Sequence, residues 1–359
     1  MIGGKLIAKG SSSCVFSPSI PCNVGSIPDN NKITKILFNK DSKMSYNKEK
    51  KYNNLIKKIK GYKDWAVIFN DDCKAPIHNI LYKYDKEGID ECITNTIEID
   101  AFNNRSYMFT GEYGGKTLID YFKNNFSQIK NGKNLENKFI KLMKLMRPLF
   151  VGLCELQRNK VCHNDIKYNN IVYKNEKKGF RFIDFGLSST FKDIDNFKKR
   201  SVKEFNTSRL YMFYPLEYIY LYTPHISLHN EKHNKRKNID LISDIYRIFK
   251  LDFDRIKEET IELIKNNKIN ENKMIKRIDV YSLGILIPLL FLLFSNIINP
   301  HENNTVIYDF YLLFKKMCNP FSDNRITPYN ALKELDRLLK KNKPTKRKYN
   351  RTKRKYNRK

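Results

Sequence analysis

The densest signal for chemistry in the chain lies between Val161 and Ser188. His163-Asn164-Asp165-Ile166-Lys167 leads, Asn170 closes that segment, and Ile183-Asp184-Phe185-Gly186 follows shortly after. Asp165 can align an acceptor hydroxyl and take its proton, while Lys167 can neutralise charge gathering on phosphoryl oxygens. Asn170 and Asp184 are hard oxygen donors of the kind Mg²⁺ prefers. Gly186 allows a sharp backbone turn beside such a metal. Any fold that uses this donor set has to bring two carboxylates and an amide to one cavity, and the chemistry they suit is phosphoryl transfer.

The set resembles the eukaryotic-type protein kinase family. The family's catalytic loop H-R-D-L-K-x-x-N reads here as His163-Asn164-Asp165-Ile166-Lys167-Tyr168-Asn169-Asn170, and its D-F-G is intact at Asp184, Phe185 and Gly186. Lys167, two residues after the Asp, is the Ser/Thr-kinase form of the loop. Tyr214-Pro215-Leu216-Glu217 looks like the A-P-E end of the activation segment, and Asp279-Val280-Tyr281-Ser282-Leu283-Gly284 like D-x-W-S-x-G. Asn324-Arg325-Ile326-Thr327-Pro328 resembles the late R-x-T motif, with Thr327 suited to cap a helix that Pro328 begins. The resemblance implies an α+β fold of two lobes, a small mainly-β N-lobe and a larger mainly-helical C-lobe. It further implies ATP and Mg²⁺ as cofactors and protein substrates phosphorylated on Ser or Thr. Asp165 and Lys167 take the catalytic roles and Asn170 and Asp184 the metal. His163, Phe185, Gly186, Glu217, Asp279 and Arg325 become structural, Asp279 bonding the catalytic-loop backbone and Arg325 pairing with Glu217.

The nucleotide end departs further from the family. Ala8-Lys9-Gly10-Ser11-Ser12-Ser13-Cys14-Val15 stands where G-x-G-x-x-G-x-V is expected, and Gly10 alone of the glycines remains. Lys35 is the match for the ATP-anchoring Lys. Glu49 is its candidate partner, although Asn53 replaces the apolar residue usual four positions later. Glu112 to Gly114 would form the hinge whose backbone meets adenine, with Gly111 just before it. Asn164 replaces the Arg that grips an activation-segment phosphate, so activity is expected not to depend on phosphate at Thr190, Ser201, Thr207 or Ser208. The usual Thr before A-P-E is hard to place, Leu210 falling nearest. The eroded loop and Asn53 also support an alternative, a pseudokinase or scaffolding module.

Periodicity supplies the organisation. Short runs at Lys5–Ala8, Val15–Ser17, Lys32–Phe38 and Arg105–Thr110 read as strands, and Ser45–Ile59 as a polar helix. Phe139, Leu142, Met143, Met146, Phe150 and Leu153 make one apolar helix face, interrupted by Pro148. The expected division is 1–111 N-lobe, 112–116 hinge, 117–340 C-lobe with an insertion at about 218–276, and 341–359 a disordered basic tail. The apolar run Ile285–Phe294 is too short to span a bilayer and contains Pro288, so a buried core helix is expected and no transmembrane segment.

Lys and Arg number 68 against 38 Asp and Glu, a net +30. That excess favours polyanionic partners, and the tail, with KRKYNR repeated, is a candidate for nucleic acid or an acidic partner. Lys- and Asn-rich coding from an AT-rich genome would produce the same charge, and this composition is similar to that of kinases from large DNA viruses. The seven cysteines include no C-x-x-C pair, which argues against a zinc site and a disulfide framework. No signal peptide is evident, so a reducing intracellular location is expected.

Overall fold

The computed structural model describes residues 4–10, 13–22, 27–38, 41–93, 106–127, 133–206, 211–222, 239–294 and 305–342. Ser11, Ser12, Arg105, Thr207, Ser208, Leu210, the stretch 223–238 and the tail beyond 342 lie outside it.

The N-terminal part is an antiparallel sheet in the order β1-β2-β3-β5-β4. Its strands are β1 (Lys5–Lys9), β2 (Ser13–Ser17), β3 (Lys32–Leu37), β4 (Phe69–Lys74) and β5 (Tyr107–Glu112). Alternation decides what each strand presents. In β2, Cys14 and Phe16 are buried while Ser13, Val15 and Ser17 are half-buried. Helix α1 (Ser42–Lys57) buries Glu49, Tyr52, Asn53 and Ile56 on one face. Helix α2 (His78–Ile93) lies between β4 and β5 in the chain and covers β1, the sheet's outer edge. Neither β4 nor α2 is announced by periodicity. Phe69-Asn-Asp-Asp-Cys-Lys74 is polar, and α2 is broken at Asp85, whose φ of −156° is not helical.

Cys14 bonds to Cys92 and Cys22 to Cys73, with Cα separations of 6.2 and 6.1 Å. This corrects the reading of the cysteines. Sequence spacing is no guide when the fold brings together residues 78 and 51 positions apart, one pair joining β2 to α2 and the other the chain after β2 to β4. The premise for a reducing compartment goes with it.

The remainder is helical. After the short β6 (Lys116–Thr117) come α3 (Leu118–Phe126) and α4 (Lys133–Arg158), the latter running through Pro148 as one helix. Short strands β7 (Val161–Cys162), β8 (Ile171–Tyr173), β9 (Phe180–Phe182) and β10 (Ser189–Thr190) frame the reactive stretch. Then follow α5 (Ile194–Asn206), α6 (Leu216–Leu221), α7 (Ile239–Ile248), α8 (Phe253–Lys265), α9 (Glu271–Phe294), α10 (Thr305–Met317) and α11 (Pro328–Lys341). Thr327 caps α11 by accepting the Asn330 N–H, with Pro328 in the first turn.

Helix α9 is long and apolar enough to cross a membrane by composition, yet most of its apolar window is buried inside the protein. Its residues from Ile278 to Leu290 are all buried, which makes it the axis of the helical half. It begins at Glu271, inside the stretch expected to be an insertion. The insertion's described helices are packed elements: Ile242, Tyr246, Phe253 and Ile256 form one cluster with Tyr214, Leu216, Tyr218 and Ile219.

Candidate active site

Asp279, projecting from the buried α9, organises the catalytic loop. Its carboxylate accepts the backbone N–H groups of His163 at 2.6 Å and Asn164 at 3.0 Å. Two backbone donors on one carboxylate fix a loop that has little regular structure of its own. Burial nonetheless pushes the Asp279 carboxyl above its ordinary range. His163 packs its ring on Phe185, centroids 4.7 Å apart, and its Nε2 lies 3.1 Å from the Ile183 carbonyl. His163 therefore joins the catalytic loop to the Asp184-Phe185-Gly186 turn. Asn164 has φ 62°, in the left-handed region that Asn tolerates.

Asp165 sits at the centre. Its Oδ2 accepts from Lys167 Nζ at 2.9 Å and from Asn170 Nδ2 at 2.7 Å. Asn170 also donates to the Asp165 carbonyl at 2.9 Å, so its amide nitrogen is committed and its amide oxygen is the atom it has to offer a cation. The Asn170 carbonyl accepts the Ile183 N–H at 3.0 Å, which places the loop end beside Asp184.

Lys35 bridges the sheet to this centre. Its Nζ lies 3.0 and 2.9 Å from the two Glu49 oxygens and 2.9 Å from Asp184 Oδ1. Burial opposes the ammonium charge, but Asp184 and Glu49 together hold Lys35 protonated, its pKa raised. One cation between two carboxylates leaves the more buried one short of compensation, and burial pushes Glu49 up to about 7. Asp184 is the opposite case: burial works against its charge, yet Lys35, then Lys167 and His163, hold it below the ordinary carboxylate range. The Asp184 side chain is 38% exposed against 3% for Glu49, so Asp184 is the carboxylate able to meet a metal. A Cβ on Gly186 would lie 3.2 Å from Asp184 Oδ1 and 3.4 Å from Glu49 Oε2, close beside both carboxylates.

On the nucleotide side, Ala8 pairs with Val15 and Lys9 with Cys14, and the Gly10 N–H donates to the Ser13 carbonyl at 2.8 Å. Val15 pairs with Lys35, so the hairpin lies directly beside the Lys35 strand. The Cys14 side chain, counted with the nucleotide loop from sequence, is turned into the core by strand alternation and ends in its disulfide. Gly114 crosses over Val172, where a Cβ would come within 2.6 Å of the valine. A side chain at position 114 would force Val172 to shift. The Glu112 side chain is held by Lys174 at 3.0 Å and Arg181 at 3.6 Å.

The structural pair is complete. Arg325 Nη2 donates to Glu217 Oε1 at 2.8 Å with both side chains essentially unexposed. The Ser322 N–H takes the other Glu217 oxygen, and the Asn319 and Pro320 carbonyls accept from Arg325.

Sequence reasoning missed Tyr211, whose hydroxyl donates to Asp165 Oδ1 at 2.7 Å. Its ring lies 4.7 Å from that of Tyr214, whose hydroxyl donates to the Asn164 carbonyl, and the Arg200 guanidinium stands 5.7 Å from both ring centroids. Arg200 also pairs with Glu204 at 3.1 Å. The cation expected at position 164 is thus absent, and a cation from α5 stands beside the catalytic loop instead. Within α5, Ser201 is wholly buried and donates to the Tyr218 and Ile219 carbonyls. No spacing rule points to Tyr211 or Arg200; only the local density of tyrosines between 211 and 222 hinted that this segment packs.

Among the described residues no cluster of three His, Cys, Asp or Glu side chains could hold a metal by protein alone. Asn170 and Asp184 offer oxygen donors only, a set that fits Mg²⁺, which keeps waters and phosphate oxygens in its shell. The antiparallel N-terminal sheet joined to a later helical region is the α+β, two-lobed arrangement of protein kinases. Lys35 and Glu49 lie before the matched segment, and Glu217, Asp279 and Arg325 after it, but residues 90–213 match the family model of the protein kinase domain.

Proposed function

We propose that the chain is a Ser/Thr protein kinase that transfers the γ-phosphoryl group of ATP to protein hydroxyls. The observation that carries this reading is a pair of bonded clusters, Lys35 with Glu49 and Asp184 and Asp165 with Lys167 and Asn170, each held by bonds of 2.7 to 3.0 Å and brought side by side by the Ile183 N–H on the Asn170 carbonyl. A carboxylate offers about four lone-pair sites. Lys167 and Asn170 fill Oδ2 of Asp165, and Tyr211 takes one site on Oδ1, so an acceptor hydroxyl has the second site on Oδ1. There Asp165 orients the hydroxyl and receives its proton as the oxygen bonds to phosphorus and the bond to the leaving ADP oxygen breaks. Lys167 faces the charge that gathers on the transferring group. Lys35, oriented by Glu49, steadies the other phosphates. Asn170 and Asp184 would hold magnesium, which supplies charge neutralisation across the phosphate oxygens. The division into N-lobe, hinge at 112–116 and C-lobe, with protein substrates meeting the cleft beside α5 and α6, belongs to the same reading.

The test is transfer of label from γ-labelled ATP to generic proteins. Wild type should label them on Ser and Thr, and Asp165→Ala should lose about a thousandfold or more, roughly 4 kcal/mol of barrier. Nucleotide binding without any transfer by the wild type would favour the scaffolding alternative. Phosphotyrosine as the product would refute the Ser/Thr assignment made from Lys167.

A further inference from the structure

Helix α2 grips the phosphate-side hairpin along its length. The Leu6 N–H donates to Asp85 Oδ2 at 2.8 Å, Lys9 donates to the Glu91 carbonyl, and Cys14 is bonded covalently to Cys92. A Cβ on Gly88 would lie 2.8 Å from Leu6 Cβ, so helix and strand touch with nothing but a glycine between them. The break at Asp85 belongs to this contact: its carboxylate takes the Gly88 N–H at 3.1 Å as well as that of Leu6. These links run along β1 and across to β2, the strands that flank Gly10.

A loop that keeps one glycine has less freedom to mould itself around phosphates than one with three. Here the flanking strands are instead fixed from outside before any ligand arrives. We propose that α2, tied to β2 by the Cys14–Cys92 disulfide, is the positioning element for the nucleotide phosphates, and that this disulfide sets nucleotide affinity. The inference rests on the nucleotide-binding reading given above. Its chemistry is ordinary thiol–disulfide exchange: a dithiol gives up two electrons and two protons to form Cys14–SH and Cys92–SH, and itself closes to a disulfide. Both sulfurs sit in buried residues, 0% and 3% exposed, so exchange requires α2 to lift locally. The second disulfide, Cys22–Cys73, joins the chain after the hairpin to β4 and does not bond covalently to α2, which makes it the natural control.

The experiment uses the full chain prepared without reductant, with free thiols counted by mass spectrometry. Affinity for a fluorescent ATP analogue with Mg²⁺ is measured before and after dithiothreitol, in the wild type, Cys92→Ser and Cys73→Ser. Reduction and Cys92→Ser should each weaken binding about tenfold, while Cys73→Ser stays within about twofold. In turnover the loss should fall on KM for ATP, with kcat at saturating ATP nearly unchanged, a split that general loss of folded protein would not give. Should Cys92→Ser fail to fold, the dithiothreitol titration of the wild type decides alone, with its melting curve followed in parallel. Equal affinity in the oxidised and fully reduced protein would overturn the proposal, as would free thiols at Cys14 and Cys92 in the native chain. Absence of nucleotide binding in both states would refute the nucleotide reading itself, and this inference with it.

Discussion

In the sheet half, a small apolar cluster around Phe16, Ile20, Leu81, Ile89 and Met108 includes Cys14 and Cys92 and is closed by covalent bonds. In the helical half, a far larger core surrounds α9, and its three cysteines, Cys154, Cys162 and Cys318, are free. Two of the buried long-range polar links there use carboxylates: Asp279 on the catalytic-loop amides and Glu217 on Arg325. The contrast follows from size. A small layer buries too little apolar surface to offset chain entropy with a wide margin, and cross-links that restrict the unfolded chain add most there. A large helical core has apolar burial to spare and can accommodate buried charges wherever each is fully bonded.

The sharpest way to break this comparison is to remove one buried charge from the helical half. Arg325→Ala leaves Glu217 uncompensated with both partners unexposed, and should cost about 3 to 5 kcal/mol, read as a large fall in melting temperature. Replacing both residues with apolar ones should recover part of that loss. Next comes the sheet half. Reducing its disulfides should cost about 2 to 4 kcal/mol each, less where the reduced chain stays compact. Hydrogen exchange should show the loss confined to amides of the sheet and α2, with those of α9 unchanged; equal loosening of both halves would contradict the assignment. The smallest effect belongs to the seam. Tyr211→Phe removes one donor from Asp165 while Lys167 and Asn170 stay in place, and should lower kcat about tenfold, near 1.4 kcal/mol, with melting unchanged.

The same contrast explains what could be read from the sequence. The helical half carries its chemistry in short, contiguous runs: Asp165, Lys167 and Asn170 lie within six positions, and Asp184 is in the next strand-turn. Local spacing therefore made that cluster legible, and the burial of α9 followed from its unbroken apolar run. In the sheet half the important pairs are far apart in the chain, Cys14 with Cys92 and Leu6 with Asp85, and only the packing of α2 on the β1–β2 hairpin reveals them. Glu49 lies between. Its distance from Lys35 was ambiguous in sequence because Asn53 broke the apolar pattern, yet Asn53 is buried as an apolar residue there would be. Tyr211 and Arg200 escaped because no local spacing points to them: Tyr211 reaches Asp165 from 46 positions away, and the cation near the catalytic loop comes from α5 and not from position 164. Ser201 illustrates the gain from geometry, since its burial and its bonds to the Tyr218 and Ile219 carbonyls bar a modifying enzyme in this conformation.

The central claim concerns where metal and nucleotide sit between the two halves. A crystal structure of the full chain with Mn²⁺ and a non-hydrolysable ATP analogue tests it directly, through the anomalous signal of the metal. The account predicts Mn²⁺ bound by the Asn170 amide oxygen and the Asp184 carboxylate, with Lys35 on the phosphates and Asp165 facing the terminal one. Manganese held by other side chains, or a nucleotide lying outside the cleft between the sheet and the helices, would contradict it.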